Sequence, residues 1–312
     1  MGKGLEDLLR DPRFGKQLLK RLAEGWDFDK IEPMSTSEIF ARLRRLGVAV
    51  APQEFQQAAL RHESAERLAD EWFDHYPFQP EGRYDEDFVW MAAIILWKRL
   101  IPDRPCFEQI DERMQEGYDL LKAGRTDAAC DTWWQVWQWV KEKVTPERNT
   151  LDAVDEAFRG TQAVFNWCQD FEMELENAGI DDHAYYRLRI RYCREFLETF
   201  PTVDWLMRGN FLRAEAESLW RLGEVKAAEA RFAALIEANP DWAWGYIGWS
   251  DQYWLFKNSP KDYDKAEAIL QRALARPNLE DRSDVLDRLN DLRKEQAQAR
   301  VAKRSQKSRK KK

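Results

Sequence analysis

Cysteine, histidine, glycine and proline are all scarce in this chain of 312 residues, and each scarcity narrows what it does. The four cysteines, Cys106, Cys130, Cys168 and Cys193, are scattered, with no Cys-x-x-Cys pair. That spacing argues against a zinc site and against a disulfide framework, so each is expected as a small apolar residue on a helix face. Only three histidines exist. His183 follows Asp181-Asp182 at an expected helix start, and His75 closes an aromatic helix end beside Trp72 and Phe73. There is no Gly-rich phosphate loop and no Gly-x-Ser-x-Gly elbow. The 56 acidic residues are expected on the solvated faces of amphipathic helices. No enzymatic activity, cofactor or metal is therefore expected.

Long apolar runs are missing too. The apolar run over 89–97 is far short of the roughly 20 residues needed for a membrane-spanning helix. The first residues, MGKGLEDLLRDPRF, lack the apolar stretch of a secretion signal, and Glu6 stands where a myristoylation site needs Ser or Thr. The chain is expected to be cytoplasmic, with no membrane partner. Alternating strand patterns are absent apart from residues 48–50, which are too few to matter.

What remains is helix. The sequence is 44% hydrophobic and 34% charged, and apolar residues recur at helical spacing over most of the length. An all-α protein is expected. Helices are read over 5–24, 35–46, 53–61, 64–76 and 85–100, the last strongly apolar and so buried. Ser35 and Glu38 have capping-box spacing. Three short helices with Arg42, Arg44 and Arg45 on the first have the shape of a helix-turn-helix DNA reader. The helix that would enter the groove, however, carries Glu66, Asp70, Glu71 and Asp74, and acid there repels phosphate. Two long amphipathic helices, 147–177 and 182–199, are read as split by Gly179.

Residues 209–242 carry the most specific pattern. Leu212, Ala216 and Leu219 fill a first helix, Gly223 ends it, Ala228 and Phe232 sit four apart in a second, and Pro240 follows. Small residues let two helices approach, a large ring fills the gap to the next pair, and Gly and Pro terminate helices. Glu215 departs from this pattern, where an apolar residue is usual. Tyr246, Trp249, Ser250 and Tyr253, then Ala266, Leu270 and Ala273, repeat it, with residues 257–260 as a longer turn. An earlier copy reads Gly117, Leu120, Gly124, Ala129 and Trp133, each 99 residues before its counterpart, with Arg113 in the place of Leu212.

These segments resemble the tetratricopeptide repeat family. The resemblance implies an α-solenoid of antiparallel helix pairs. An N-terminal helical segment is expected over 1–105, repeats over 106–280 (clearest at 209–277), a capping helix over 281–302 and a disordered basic tail over 303–312. Stacked pairs present a concave surface made by their first helices, so the implied function is non-enzymatic binding of a protein or peptide. By repeat phase the inward-facing candidates are Arg213, Glu217, Trp220, Arg221, Trp244, Asp251 and Trp254. Trp220 and Trp254 share a phase, which suggests an aromatic wall. Glu217 and Asp251 stand where the family's carboxylate-clamp variant has Asn, which favours a mixed or basic-aromatic ligand. The fifteen tryptophans either fill inter-helix gaps or, in part, line this groove.

The last ten residues, KRSQKSRKKK, hold seven cations and no acid, and removing them takes the net charge from −7 to −14. Lys307, Arg309, Lys310, Lys311 and Lys312 give an alternative function: a nucleic-acid- or ribosome-associated protein that contacts phosphates through this tail. The arrangement also resembles bacterial repeat proteins ending in a zinc-binding SEC-C motif, but no Cys or His follows Cys193 here.

Overall fold

The computed structural model describes residues 25–309, with side chains through residue 301. Among these residues the protein is all-α, with fifteen helices, no strand and one isolated antiparallel bridge between Thr145 and Arg148. The helices expected within 5–24 lie outside the described residues. The chain forms two compact units: residues 25–122, 132–142 and 158–162 make unit 1, and residues 123–131, 143–157 and 163–309 make unit 2.

Unit 1 begins with α1 (Phe28–Ile31), α2 (Thr36–Arg45), α3 (Pro52–Arg61), α4 (Ala65–His75) and α5 (Asp85–Leu100). The capping box at α2 is formed: the Ser35 amide donates to Glu38 Oε2 at 2.6 Å, and Ser35 Oγ accepts from the Glu38 amide at 3.2 Å. Helix α5 is apolar on all sides and packs against α1, α2, α3 and α4, burying Phe88, Ala92, Leu96 and Trp97. Its first residue, Asp85, is buried and accepts from Arg42 Nη2 (2.7 Å), Gly82 N (2.7 Å), Glu81 N (2.9 Å) and Trp26 Nε1 (3.1 Å). Helix α6 (Phe107–Lys122) packs on α4 and α5. The first helix of the earliest repeat-like pair thus lies in unit 1. Glu108 ties it there, capping α4 through Ser64 Oγ and the amides of Ala65 and Glu66.

The next helix, α7 (Thr126–Glu142), contributes residues 126–131 to unit 2 and 132–142 to unit 1. Gly117 of α6 lies against Trp133: a Cβ at Gly117 would come within 2.0 Å of the indole nitrogen, which donates to Met114 O at 2.9 Å. The repeat-like spacing therefore records a real close approach.

Unit 2 continues with α8 (Leu151–Phe158, of which 151–157 count here), α9 (Val164–Asp181), α10 (Ala184–Thr199), α11 (Trp205–Arg221), α12 (Val225–Ala238), α13 (Ala243–Trp254), α14 (Tyr263–Leu274) and α15 (Arg282–Arg309). Each of α9 to α12 packs on its successor, as do α13 and α14. The first helix α11 also meets the next first helix, α13, and α13 meets α15. Helix α11 ends in a Schellman turn: Gly223 N donates to Trp220 O and Glu224 N to Leu219 O, both at 2.9 Å, with Gly223 at φ +80°. Gly124, its counterpart after α6, has φ +73°.

Three readings are corrected. The single helix expected over 147–177 is two, α8 and α9, because Arg159 takes φ +50° and Asp155 accepts from the amides of Val164 and Phe165, capping α9. Gly179 does not end a helix: α9 runs through it to Asp181, and the Tyr186 ring occupies the space a Cβ would need. Helix α15 covers the last apolar face with Val285, Leu289 and Leu292, as a capping helix should, but it runs on to Arg309. Residues 303–309 are helical rather than disordered because nothing from 282 to 309 breaks a helix: Gly and Pro are absent and Ala, Gln, Lys and Arg are frequent. Lys310, Lys311 and Lys312 lie outside the described residues.

Candidate functional site

The inner candidates of unit 2 come from α11 and α13, and the structure separates them into two groups. Arg213, Glu217 and Asp251 come together. Gly248 makes this possible: a Cβ there would sit 2.7 Å from Arg213 Cδ and 3.3 Å from Glu217 Oε1. Arg213 Nε lies 3.5 Å from Glu217 Oε1, and the guanidinium centre is 5.7 Å from the Trp244 ring. Trp244 is half-buried and donates its indole N–H to Asp281 Oδ2 at 3.1 Å. Asp251 faces Arg288 Nε of α15 at 3.5 Å. Arg221 stands apart, stacked on Phe256 with its guanidinium 3.6 Å from the ring centre.

Trp220 and Trp254 form no aromatic wall on the surface. Trp220 packs edge to face on Tyr253, ring centres 4.8 Å apart, and Trp254 is 2% exposed in the same core. The reason is packing. Helix α13 is enclosed by α11, α12, α14 and α15, so almost every side chain along it is buried. The last turn of α11 likewise points at the next pair.

The site extends further along the chain than the repeat pattern reaches. Arg189 of α10 is 3% exposed and is surrounded by acceptors: Glu172 Oε1 at 2.5 Å, Glu176 Oε2 at 2.8 Å, Ser218 Oγ at 3.3 Å and Glu217 Oε2 at 3.5 Å. Burial alone would lower its pKa, but Glu172, Glu176 and Glu217 outweigh that and hold it charged. Arg189 carries a legible signal, since it is the one charged residue among the buried Tyr186, Ile190, Cys193 and Phe196 of its helix. Glu215, the residue that departs from the repeat pattern, is buried between two arginines, with Arg194 Nη2 at 2.7 Å and Arg231 Nη2 at 3.1 Å from Oε1. It pins α11 to α10 and α12.

A line of alternating charge results, with one or more members from each of α9, α10, α11, α13 and α15. Where α11, α13 and α15 meet, the acids are the deeper part. Burial pushes the Glu217 carboxyl up despite Arg213 and Arg189, and pushes Asp251 up to about 7 despite Arg288. The Glu217 and Asp251 side chains are 15% and 10% exposed, whereas Arg213 and Arg288 are 25% and 29% exposed. At that end the arginines and Trp244 are the more accessible groups, whereas at the α9–α10 end Arg189 is 3% and Glu176 34% exposed. Arg213 Nε and Asp251 Oδ1 are held by ion pairs at 3.5 Å rather than by hydrogen bonds, and Gln252 Oε1 accepts no hydrogen bond among the described residues. Gln252 is held over this spot by its own amide, which donates to Gly248 O at 2.9 Å.

Among the described residues no group of three or more His, Cys, Asp or Glu side chains is placed to hold a metal ion, and no helix is long and apolar enough to cross a membrane. All four cysteines are buried as free thiols. Neither the models of known protein families nor the curated proteins contain a match to this chain.

Proposed function

We propose that this protein is a non-enzymatic scaffold of tetratricopeptide-like helix pairs, and that the α11–α13 face of unit 2 binds a protein or peptide. The observation that carries the reading is the polar line itself. At its α11–α13 end the Arg213 guanidinium centre lies 5.7 Å from the half-buried Trp244 ring, above carboxylates that are buried and paired. Trp and Arg are the residues that most often anchor interfaces. The basic-aromatic ligand expected from Glu217 and Asp251 fits less well than an acidic one, because both carboxylates are buried and paired while the arginines are accessible.

The test is mass spectrometry of what co-purifies with the tagged full-length protein after nuclease treatment, followed by Arg213→Ala with Trp244→Ala. A stoichiometric partner lost on this double substitution, with the melting temperature kept, supports the reading. A partner indifferent to it refutes the site. Trp220→Ala and Trp254→Ala are unsuitable, because both rings belong to the core.

One observation favours a second reading. Because α15 reaches Arg309, Arg300, Lys303, Arg304 and Lys307 fall at i, i+3, i+4 and i+7 along one helix. Such a basic helix suits a phosphate backbone. Truncation after Ala302 then abolishes salt-sensitive RNA or DNA binding, and binding that survives the truncation refutes this reading.

A further inference from the structure

Unit 1 contains a cleft that the proposed partner site does not use. Its volume is about 680 Å3, the size of a small-ligand pocket. The floor is apolar. Phe107 and Phe158 are buried there edge to face, ring centres 5.7 Å apart, and Ile94 continues the surface. At the mouth Phe28 of α1 leaves 42% of its surface to solvent. The rim is charged and unbalanced: five carboxylates line it against the two guanidinium groups of Arg67 and Arg159.

The carboxylates divide by what they already do. Glu108 caps α4, and Asp111 accepts from Thr161 N at 2.8 Å and Thr161 Oγ1 at 2.7 Å. Both are held in place by these bonds and bring their charge with them. Asp70 accepts only the Trp90 indole N–H, at 2.8 Å. The side chains of Glu66 and Glu112 accept no hydrogen bond and form no salt bridge among the described residues. Burial, then Glu108 and Asp70, push the Glu66 carboxyl above its ordinary value, which is what crowding of like charge beside an apolar floor does. A neutral or anionic ligand leaves that repulsion in place. A cation with an apolar stem relieves it and covers the exposed Phe28 ring with that stem.

We infer that this cleft receives an organic cation, an ammonium or guanidinium head on an apolar stem, with the stem against Phe28 and the head among Glu66, Asp70 and Glu112. This is the chemistry of a free aryl-alkyl amine and also of a Lys or Arg side chain beside an aromatic one. It is independent of the partner face in unit 2.

The test is calorimetric titration of the full-length protein with 4-phenylbutylamine, with the neutral 4-phenylbutanol, and with the dipeptide acetyl-Phe-Lys-amide. The amine binds and the alcohol binds about tenfold or more weakly, the size expected from losing two or three partly exposed charge pairs. Glu66→Gln with Asp70→Asn, both on the exposed side of α4, weakens the amine by a similar factor and leaves the melting temperature unchanged. Stronger binding of the dipeptide than of the amine identifies a peptide side chain as the source, and the reverse identifies a free amine. Equal binding of amine and alcohol, no binding of either cation at millimolar concentration, or full binding by the double variant overturns the inference.

Discussion

Asp251→Asn should stabilise unit 2 more at alkaline pH than in mild acid. Burial raises the Asp251 carboxyl from its ordinary 3.8 to about 7. Arg288 and Arg213 oppose the rise, and Glu217 adds to it. The folded pKa therefore lies above the unfolded one, so the native chain holds a proton that the unfolded chain has already lost. The stability this proton brings is complete below pH about 4 and is lost as the pH climbs through about 7. At about 1.4 kcal/mol per tenfold change, the whole span corresponds to about 4 kcal/mol. Asn imitates the neutral acid, so it removes the loss. Urea unfolding followed by tryptophan fluorescence at pH 5 and pH 8.5, for the native protein and the variant, measures the effect as a difference of differences that cancels other titrations. The variant should gain about 1–4 kcal/mol between the two pH values relative to the native protein. If the two proteins keep the same difference at both pH values, Asp251 is ionised throughout, and the ion pair with Arg288 rather than burial governs it.

Other substitutions test the same structure elsewhere. Arg189→Ala leaves Glu172, Glu176 and Glu217 facing one another without a cation, and removing one member of a buried ion cluster costs about 3–5 kcal/mol. The melting temperature should fall accordingly and recover in part toward pH 4, whereas a fall of under about 1 kcal/mol would show the arginine to be dispensable. Gly117→Ala and Gly223→Ala should separate two uses of glycine. Gly117→Ala drives a methyl into the buried Trp133 ring and should cost about 1–3 kcal/mol with a changed near-ultraviolet spectrum. Gly223→Ala meets nothing within 4 Å, so it should cost only the left-handed backbone strain of about 1–2 kcal/mol, with the aromatic spectrum unaltered.

The fold was legible where local rules suffice. Helix ends in this chain are written by capping residues and glycines: Ser35 and Gly223 each act at the boundary their type suggests. The repeat-like spacing was legible because it records contacts between adjacent helices, such as Gly117 with Trp133. The break at 159–163 was not legible, because it depends on Asp155 reaching forward nine and ten residues to cap α9. The extension of α15 was missed for another reason. A run of lysines was read as a self-repelling tail, but the same residues favour helix when they follow a packed one.

The candidate site shows why repeat phase alone misplaces side chains. Phase fixes the direction in which a residue leaves its helix, and Arg213, Glu217 and Asp251, three of the seven candidates, lie near one another. It does not fix what lies in that direction. Trp220 and Trp254 leave along equivalent directions, but α13 is covered on four sides, so both rings meet protein instead of solvent. The same enclosure turns the acids inward and leaves the arginines at the surface, because a guanidinium on a longer stem can pair with a buried carboxylate and still reach water. Ligand charge at such a face is therefore set by which partner of each ion pair is the longer, not by which charges the helix carries. On that argument the proposed acidic partner would be recognised by the reach of Arg213 and Arg288 rather than by net charge. Shortening the exposed cations while keeping their charge, by Arg213→Lys with Arg288→Lys, should weaken an acidic partner without altering its salt dependence. A partner that binds these lysine variants as tightly as the native protein would show that net charge, not reach, governs recognition.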